Sequence, residues 1–152
     1  VERFSTRDIA TRFIEYMDVG TTNGWAMDDV VTADEIRGLL SELTSIPSQY
    51  QGEVAKRYRL PQGGEVGLIT SVTEPFCGDC TRIRLSADGH LYTCLFASAG
   101  LDLMTPMREG ASDDDLLTMI ESCWMARDDR YSEIRAEASP SRVRVEMSYI
   151  GG

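Results

Sequence analysis

The chain has 152 residues, 42% of them apolar, which is enough for a core of ordinary domain size. It has no run of about 18 or more apolar residues and no signal-peptide pattern at its start, so no membrane span or membrane partner is expected. A formal net charge of −10 argues against a nucleic-acid partner, because phosphates want a basic surface.

Residues 1–10 open without a helix cap and already place apolar side chains periodically at Phe4 and Ile9, as if continuing an element begun earlier. Residues 12–19 alternate loosely and read as a strand, which ends in a turn-rich loop from Gly20 to Trp25. Thr32-Ala33-Asp34-Glu35 is a capping-box signature. The helix it opens should place Ile36, Leu39, Leu40 and Leu43 on one face, and Pro47 closes that region. Residues 58–60 and 66–72 are strand candidates around Pro61-Gln62-Gly63-Gly64, a hairpin or an added strand pair.

Next comes a cysteine set, Cys77, Cys80 and Cys94, spaced C-x2-C-x13-C with no fourth cysteine to close it. Between Cys80 and Cys94 the sequence reads as a strand, an Asp88-Gly89 hairpin turn of type I′ and a returning strand, with Cys94 about opposite Ile83. Cys80 would then lie three residues from that partner, roughly 10 Å at 3.3 Å per residue, so a bend at Cys80 is needed to gather the sulfurs. Three thiolates leave one position of a metal open, which points to chemistry more than scaffolding. The spacing also suits a zinc ribbon or a thiol redox pair. His90, the single histidine, could complete a Cys3His zinc site, so spacing leaves the metal open. Clustered cysteines fit a reducing compartment, with the cytoplasm as default.

Ser112 with Asp113, Asp114 and Asp115 opens a second helix, whose acidic first turn complements the helix dipole. Leu116, Leu117, Ile120, Cys123, Trp124 and Arg127 form one stripe, so Cys123 reads as a buried packing residue. A charged stretch at 127–135, a linker at 138–141 and a final strand at 143–147 complete the reading, with no internal repeat. Lys56 is the one lysine beside fourteen arginines, a bias that fits genomic composition more than function.

Residues 76–85 (FCGDCTRIRL), Ala87-Asp88-Gly89, Cys94-Leu95-Phe96 and Ile150-Gly151-Gly152 together closely resemble the radical SAM GTP 3′,8-cyclases of molybdenum cofactor biosynthesis. Residues 12–20 with Asn23-Gly24-Trp25, and residues 129–134, resemble the same family, so the likeness runs along nearly the whole chain in order.

The resemblance implies that Cys77, Cys80 and Cys94 hold a 4Fe-4S cluster whose fourth iron binds the guanine of GTP. It implies that Arg82 and Arg84 contact GTP, Arg12 reaches the triphosphate, and Met17 lies against S-adenosyl-L-methionine. Gly151 and Gly152 would enter the active site as catalytic residues. The reaction would convert GTP to 3′,8-cyclo-7,8-dihydro-GTP. The family's C-x3-C-x2-C motif, which holds the cluster that cleaves S-adenosyl-L-methionine, does not occur in these residues. The expected fold is therefore α/β: the carboxy-terminal part of an incomplete (β/α) barrel over residues 1–45, with a hairpin-containing cluster and GTP-binding region over 46–152. Its partners would be GTP, the missing amino-terminal half and a second copy in a homodimer, and alone it should not catalyse.

Arg82 and Arg84 share one face of a strand, which suits an anionic ligand as well as plain solvation. Strict alternation sets them opposite to Ile83, Leu85 and Cys94, so a bulge near Thr81 would be needed for both to meet one substrate. Two other readings stand beside the enzyme: a non-catalytic Cys3His zinc interaction module, and a nucleotide-binding regulator that keeps the cluster without its chemistry.

Overall fold

The computed structural model describes residues 1–5, 9–40, 42–135 and 144–150 of a mixed α/β chain. It divides into two compact units: unit 1 comprises Val1–Met17 and Trp25–Cys80, and unit 2 comprises Asp18–Gly24 and Thr81–Gly152. Among the described residues no helix is long and apolar enough to cross a membrane.

Unit 1 begins with a single helical turn, α1 (Glu2–Ser5), followed by β1 (Thr11–Ile14) and α2 (Ala33–Leu39). Three further strands, β2 (Thr44–Ile46), β3 (Lys56–Arg59) and β4 (Glu65–Ile69), complete a sheet of order β1-β4-β3-β2. The sheet draws on both sides of residue 45. β1 runs parallel to β4, with α2 in the crossover, and β3 and β4 form the expected antiparallel hairpin. Gly63 and Gly64 turn that hairpin at φ of 90° and 87°, where a Cβ would be strained. The core is Ala33, Leu60, Val66 and Leu68, covered by Phe13, Ile36, Leu40, Leu43 and Tyr58.

Two details of unit 1 differ from the sequence reading. The first strand spans four residues, not eight, because β4 ends at Ile69 and offers one more hydrogen bond, from Glu15 N–H to Ile69 O at 3.1 Å. The Thr32 capping box is formed as expected, but α2 stops at Leu39 after seven residues. That ending leaves Leu39 82% exposed, outside the face shared by Ile36, Leu40 and Leu43.

Unit 2 contains a three-stranded antiparallel sheet, β5 (Arg84–Leu85), β6 (His90–Tyr92) and β7 (Leu101–Asp102), then α3 (Met104–Arg108) and α4 (Asp113–Met125). Ser112 and Asp115 form a second capping box at the start of α4. On α4, Leu116, Ile120, Cys123, Trp124 and the following Arg127 are half-buried, whereas Leu117 turns out to solvent at 52% exposure. Cys123 is thus a half-buried packing residue.

The hairpin tip corrects the expected turn. Arg84 pairs with Tyr92 and Leu85 with Leu91, which leaves Ala87-Asp88-Gly89 as a three-residue loop with Gly89 alone at positive φ, 83°. Ser86 selects this loop: its hydroxyl donates to Asp88 Oδ1 at 2.5 Å and accepts the His90 N–H at 3.0 Å. Pairing shifts by one residue, and the ladder stops at Tyr92, so Cys94 is not a ladder partner of Ile83.

The expected final strand is likewise absent among the described residues 144–147. This segment keeps one backbone bond to a distant residue, Val145 N–H to Ala97 O at 3.1 Å. Its side chains are spent elsewhere: Arg144 reaches Asp18, and Glu146 accepts from Thr21 N–H at 2.8 Å and from the Thr21 and Thr22 hydroxyls at 3.1 Å each. Gly20, at φ of 71°, sits under the Glu146 carboxylate, which would collide with any Cβ there.

Candidate functional site

In unit 1 the cysteine turn is a 3-10 turn over Cys77–Asp79, closed by the Cys80 N–H on the Cys77 carbonyl at 3.3 Å. Phe76 precedes it at φ −125° and ψ 34°, and Cys80 leaves it extended at φ −73° and ψ 117°. Cys77 and Cys80 are both half-buried and neither forms a disulfide. Beside the turn lies a polar cleft of about 340 Å³, whose lining includes Tyr50, Glu53, Lys56, Phe76 and Asp79.

Arg12 projects from β1 opposite Gly67, where the missing side chain leaves room for the arginine stem: a Cβ on Gly67 would stand 3.2 Å from Arg12 Cγ. The Arg12 side chain is 49% exposed and its guanidinium lies 4.0 Å from the buried Glu53 carboxylate. Arg57 approaches the same carboxylate at 3.8 Å, so Arg12 is a partner that Glu53 can spare.

Met17 follows a residue that sequence reading did not single out. Glu15 is 3% exposed, and its carboxylate accepts the N–H groups of Ala33 (3.0 Å), Val72 (2.8 Å) and Thr73 (2.9 Å) and the Thr73 hydroxyl (2.5 Å). One side chain thereby ties the end of β1 to the first turn of α2 and to the loop after β4. An acidic residue among the apolar side chains of residues 13–17 is the signal the sequence gives of it.

In unit 2 the burial of β5 and its approach is inverted relative to an ordinary solvated strand. Arg82 and Arg84 are half-buried, while Ile83 is 40% and Leu85 61% exposed. Arg84 stands opposite Tyr92, itself 4% exposed. A half-buried arginine can cover its stem while its guanidinium stays in water, so this pattern suits a solvated strand face as well as an anionic ligand.

His90 Nδ1 lies 3.2 Å from Asp88 Oδ2. Asp88 accepts from the Ser86 and Tyr149 hydroxyls, which hold its carboxyl down at about 2, and Tyr149 is raised to about 12 by the same carboxylate. Neither unit by itself gathers three His, Cys, Asp or Glu side chains into a metal-holding group among the described residues. Cys77 and Cys80 belong to unit 1 and Cys94 to unit 2. Gly151 and Gly152, expected as catalytic, lie outside the described residues.

A second cluster in unit 2 was not expected from sequence. Asp18, 5% exposed, accepts from the Tyr131 hydroxyl at 2.5 Å, Arg144 Nη1 at 2.6 Å and Arg135 Nε at 2.9 Å. Burial pushes the Asp18 carboxyl up, and the Tyr131, Arg144 and Arg135 donors together outweigh burial and leave it below its ordinary value. Asp18 lies more than 110 residues from its three donors in sequence, and no spacing rule connects it to them.

Cysteine thiolates as a class suit an iron–sulfur centre or zinc, and none of the three is in a disulfide. A family model described as Molybdenum Cofactor Synthesis C matches residues 9–133. A GTP 3′,8-cyclase of Xanthomonas campestris pv. campestris (strain B100) is 49% identical over 156 residues, covering 100% of this chain and 45% of that protein. A GTP 3′,8-cyclase of Staphylococcus carnosus is 46% identical over 160 residues, with 100% and 47% covered. The chain spans about half the length of the curated relatives it matches, and aligns with their carboxy-terminal portion. It belongs to the Molybdenum Cofactor Synthesis C family.

Proposed function

We propose that this member of the Molybdenum Cofactor Synthesis C family is the GTP-binding, carboxy-terminal part of a GTP 3′,8-cyclase. In this reading residues 1–45 belong to the last strand–helix part of an incomplete radical SAM barrel, and residues 46–152 to a cluster and GTP-binding extension. The observation that carries it is the half-burial of Arg82 and Arg84 beside exposed Ile83 and Leu85, in the sequence that directly follows the Cys77–Cys80 turn.

Cys77, Cys80 and Cys94 would hold a 4Fe-4S cluster. When bound, that cluster supplies an open iron position for a purine nitrogen. Arg82 and Arg84 offer directed N–H donors to the acceptor edge of guanine or to phosphate oxygens. Arg12 offers charge to the triphosphate. Met17 faces S-adenosyl-L-methionine, which the amino-terminal half would bind and cleave, and Gly151 and Gly152 complete the site. The contribution of this chain is placement: it holds the nucleotide so that ribose and base react with each other in a fixed geometry. The cytoplasm is its setting, where thiols stay reduced.

The test is anaerobic purification of the chain followed by visible absorption and metal analysis. A brown chromophore with about four irons per chain is expected, and Cys94→Ala should remove most of the iron while His90→Ala retains it. A colourless zinc protein that loses its metal in His90→Ala would replace this reading with the Cys3His module.

A further inference from the structure

Within unit 2, Cys94 sits in a turn whose construction reaches far beyond its neighbours. The Ala97 N–H donates to the Cys94 carbonyl at 3.3 Å, and the Phe96 N–H is turned onto the Cys94 sulfur at 3.4 Å. The Phe96 side chain is held by Tyr131: the rings stack with centroids 4.7 Å apart and planes 30° from parallel. The Arg135 guanidinium lies 5.4 Å from the Phe96 ring centre and 5.7 Å from that of Tyr131. Tyr131 is fixed in turn at its far end, where its hydroxyl donates to Asp18 at 2.5 Å and accepts from Arg144 Nη1 at 2.7 Å. A continuous line of contacts thus runs from the buried Asp18 carboxylate through Tyr131 and Phe96 to one amide hydrogen on one sulfur.

We propose that Tyr131, anchored by Asp18, is a positioning residue that keeps the Phe96 N–H on the Cys94 sulfur, and that this bond tunes the reduction potential and metal retention of the centre Cys94 helps to hold. The inference rests on the reading of Cys94 as a ligand. A hydrogen bond to a ligating sulfur stabilises the more electron-rich state, so it favours reduction of an iron–sulfur centre. It also limits how often the sulfur swings away from the metal. The stack matters because a free turn would let the Phe96 amide choose water instead. Phe96 is 6% exposed, and its ring cannot leave Tyr131 without entering solvent.

The experiment uses the 152-residue chain, loaded anaerobically, as wild type and as Tyr131→Leu, Tyr131→Phe and Phe96→Leu, with Leu116→Ala on α4 as a control for general destabilisation. The readouts are the midpoint of a spectroelectrochemical titration and the rate of metal transfer to a chelator. Tyr131→Leu should make reduction less favourable by about threefold to tenfold, tenfold being 59 mV for a one-electron couple, and speed metal release about threefold or more. Phe96→Leu keeps the amide but loses the stack, and it should behave alike if Tyr131→Leu does not fold. Tyr131→Phe keeps the stack but loses the hydroxyl that Asp18 anchors, and should fall between wild type and Tyr131→Leu. Leu116→Ala should lower the melting temperature and move neither readout. Wild-type potential and release rate in both Tyr131→Leu and Phe96→Leu would overturn the proposal. A zinc-loaded wild type would sink the iron–sulfur reading alone, because zinc release from the same variants still reports the turn. A wild type that takes up no metal overturns both.

Discussion

Glu15→Gln is the sharpest test of how the Met17 segment is held, because it changes one atom type in a site with no room to compensate. In the wild type, Oε1 accepts from Ala33 N–H and the Thr73 hydroxyl, and Oε2 from Val72 N–H and Thr73 N–H. Glutamine keeps one acceptor oxygen. Its better orientation places that oxygen on Val72 and Thr73, and the Thr73 hydroxyl can rotate to accept from the new NH2. The Ala33 N–H then faces a donor and loses its partner, while the two surviving bonds fall from charge-assisted to neutral. Hydrogen bonds to charged groups contribute about 1.5–3 kcal/mol and neutral ones about 0.5–1.5 kcal/mol, so the loss should be about 2–4 kcal/mol. Glu15→Ala strands all three backbone donors and should cost more, about 3–6 kcal/mol, against a total stability of about 5–15 kcal/mol for a domain. Urea unfolding of wild type and both variants, followed by far-UV circular dichroism, measures this directly. A Glu15→Gln loss below about 0.5 kcal/mol would mean that the carboxylate is not what joins β1, α2 and the loop after β4.

Two further outcomes are expected. With the amino-terminal half supplied, Arg12→Ala should weaken GTP by about 1.5–3 kcal/mol while leaving guanosine nearly unchanged, and Arg84→Ala should blunt discrimination between GTP and ATP; equal losses for all three ligands in both variants would end the two-part recognition. The isolated chain should self-associate through the apolar groove of about 440 Å³ lined by Phe13, Ile14, Val31, Leu39 and others, whose rim leaves Ile14 59% and Val31 57% exposed. Light scattering should find a smaller species for Leu39→Glu than for wild type, and a wild type already monodisperse as a monomer would refute this.

What could be read from the sequence follows the range of the interactions. The Thr32 capping box was legible because its partners, Thr32 and Glu35, lie three residues apart, whereas at Ser112 the acidic first turn marked the helix start and the box with Asp115 emerged only in the structure. The β3–β4 hairpin was legible from two apolar runs around adjacent glycines. The Asp88-Gly89 turn was found but mistyped, because the Ser86 hydroxyl decides between a two-residue and a three-residue loop and no alternation rule contains it. Leu39 was assigned to the core on its three-residue spacing from Ile36, but as the last residue of α2 it lies outside the face shared by Ile36, Leu40 and Leu43. The expected strand at 143–147 failed for a longer-range reason: a β-pattern forms a strand only if a partner edge is available, and Arg144 and Glu146 are engaged by residues 18–22 instead. At the candidate site, the cysteine spacing and the Arg-x-Arg pair were visible. The inversion that buries the arginines and exposes Ile83 and Leu85 was not, since alternation fixes two faces without saying which is inward.

The net charge of −10 also acquires a different meaning once its members are placed. Spread over a surface, such acidity serves solubility. Here Glu15 and Asp18 are nearly inaccessible, and each gathers donors from segments distant in sequence. They flank Tyr16 and Met17 in sequence, Glu15 held within unit 1 and Asp18 within unit 2. Asp18 then reaches the Cys94 turn through Tyr131 and Phe96. A residue that contacts no ligand in the proposed reading is thereby adjacent in sequence to the residue assigned to S-adenosyl-L-methionine and joined by packing to one assigned to the metal. Neutralising Asp18 should therefore disturb both ends together, whereas neutralising Glu15 should disturb the Met17 end and leave the Cys94 sulfur with its hydrogen bond.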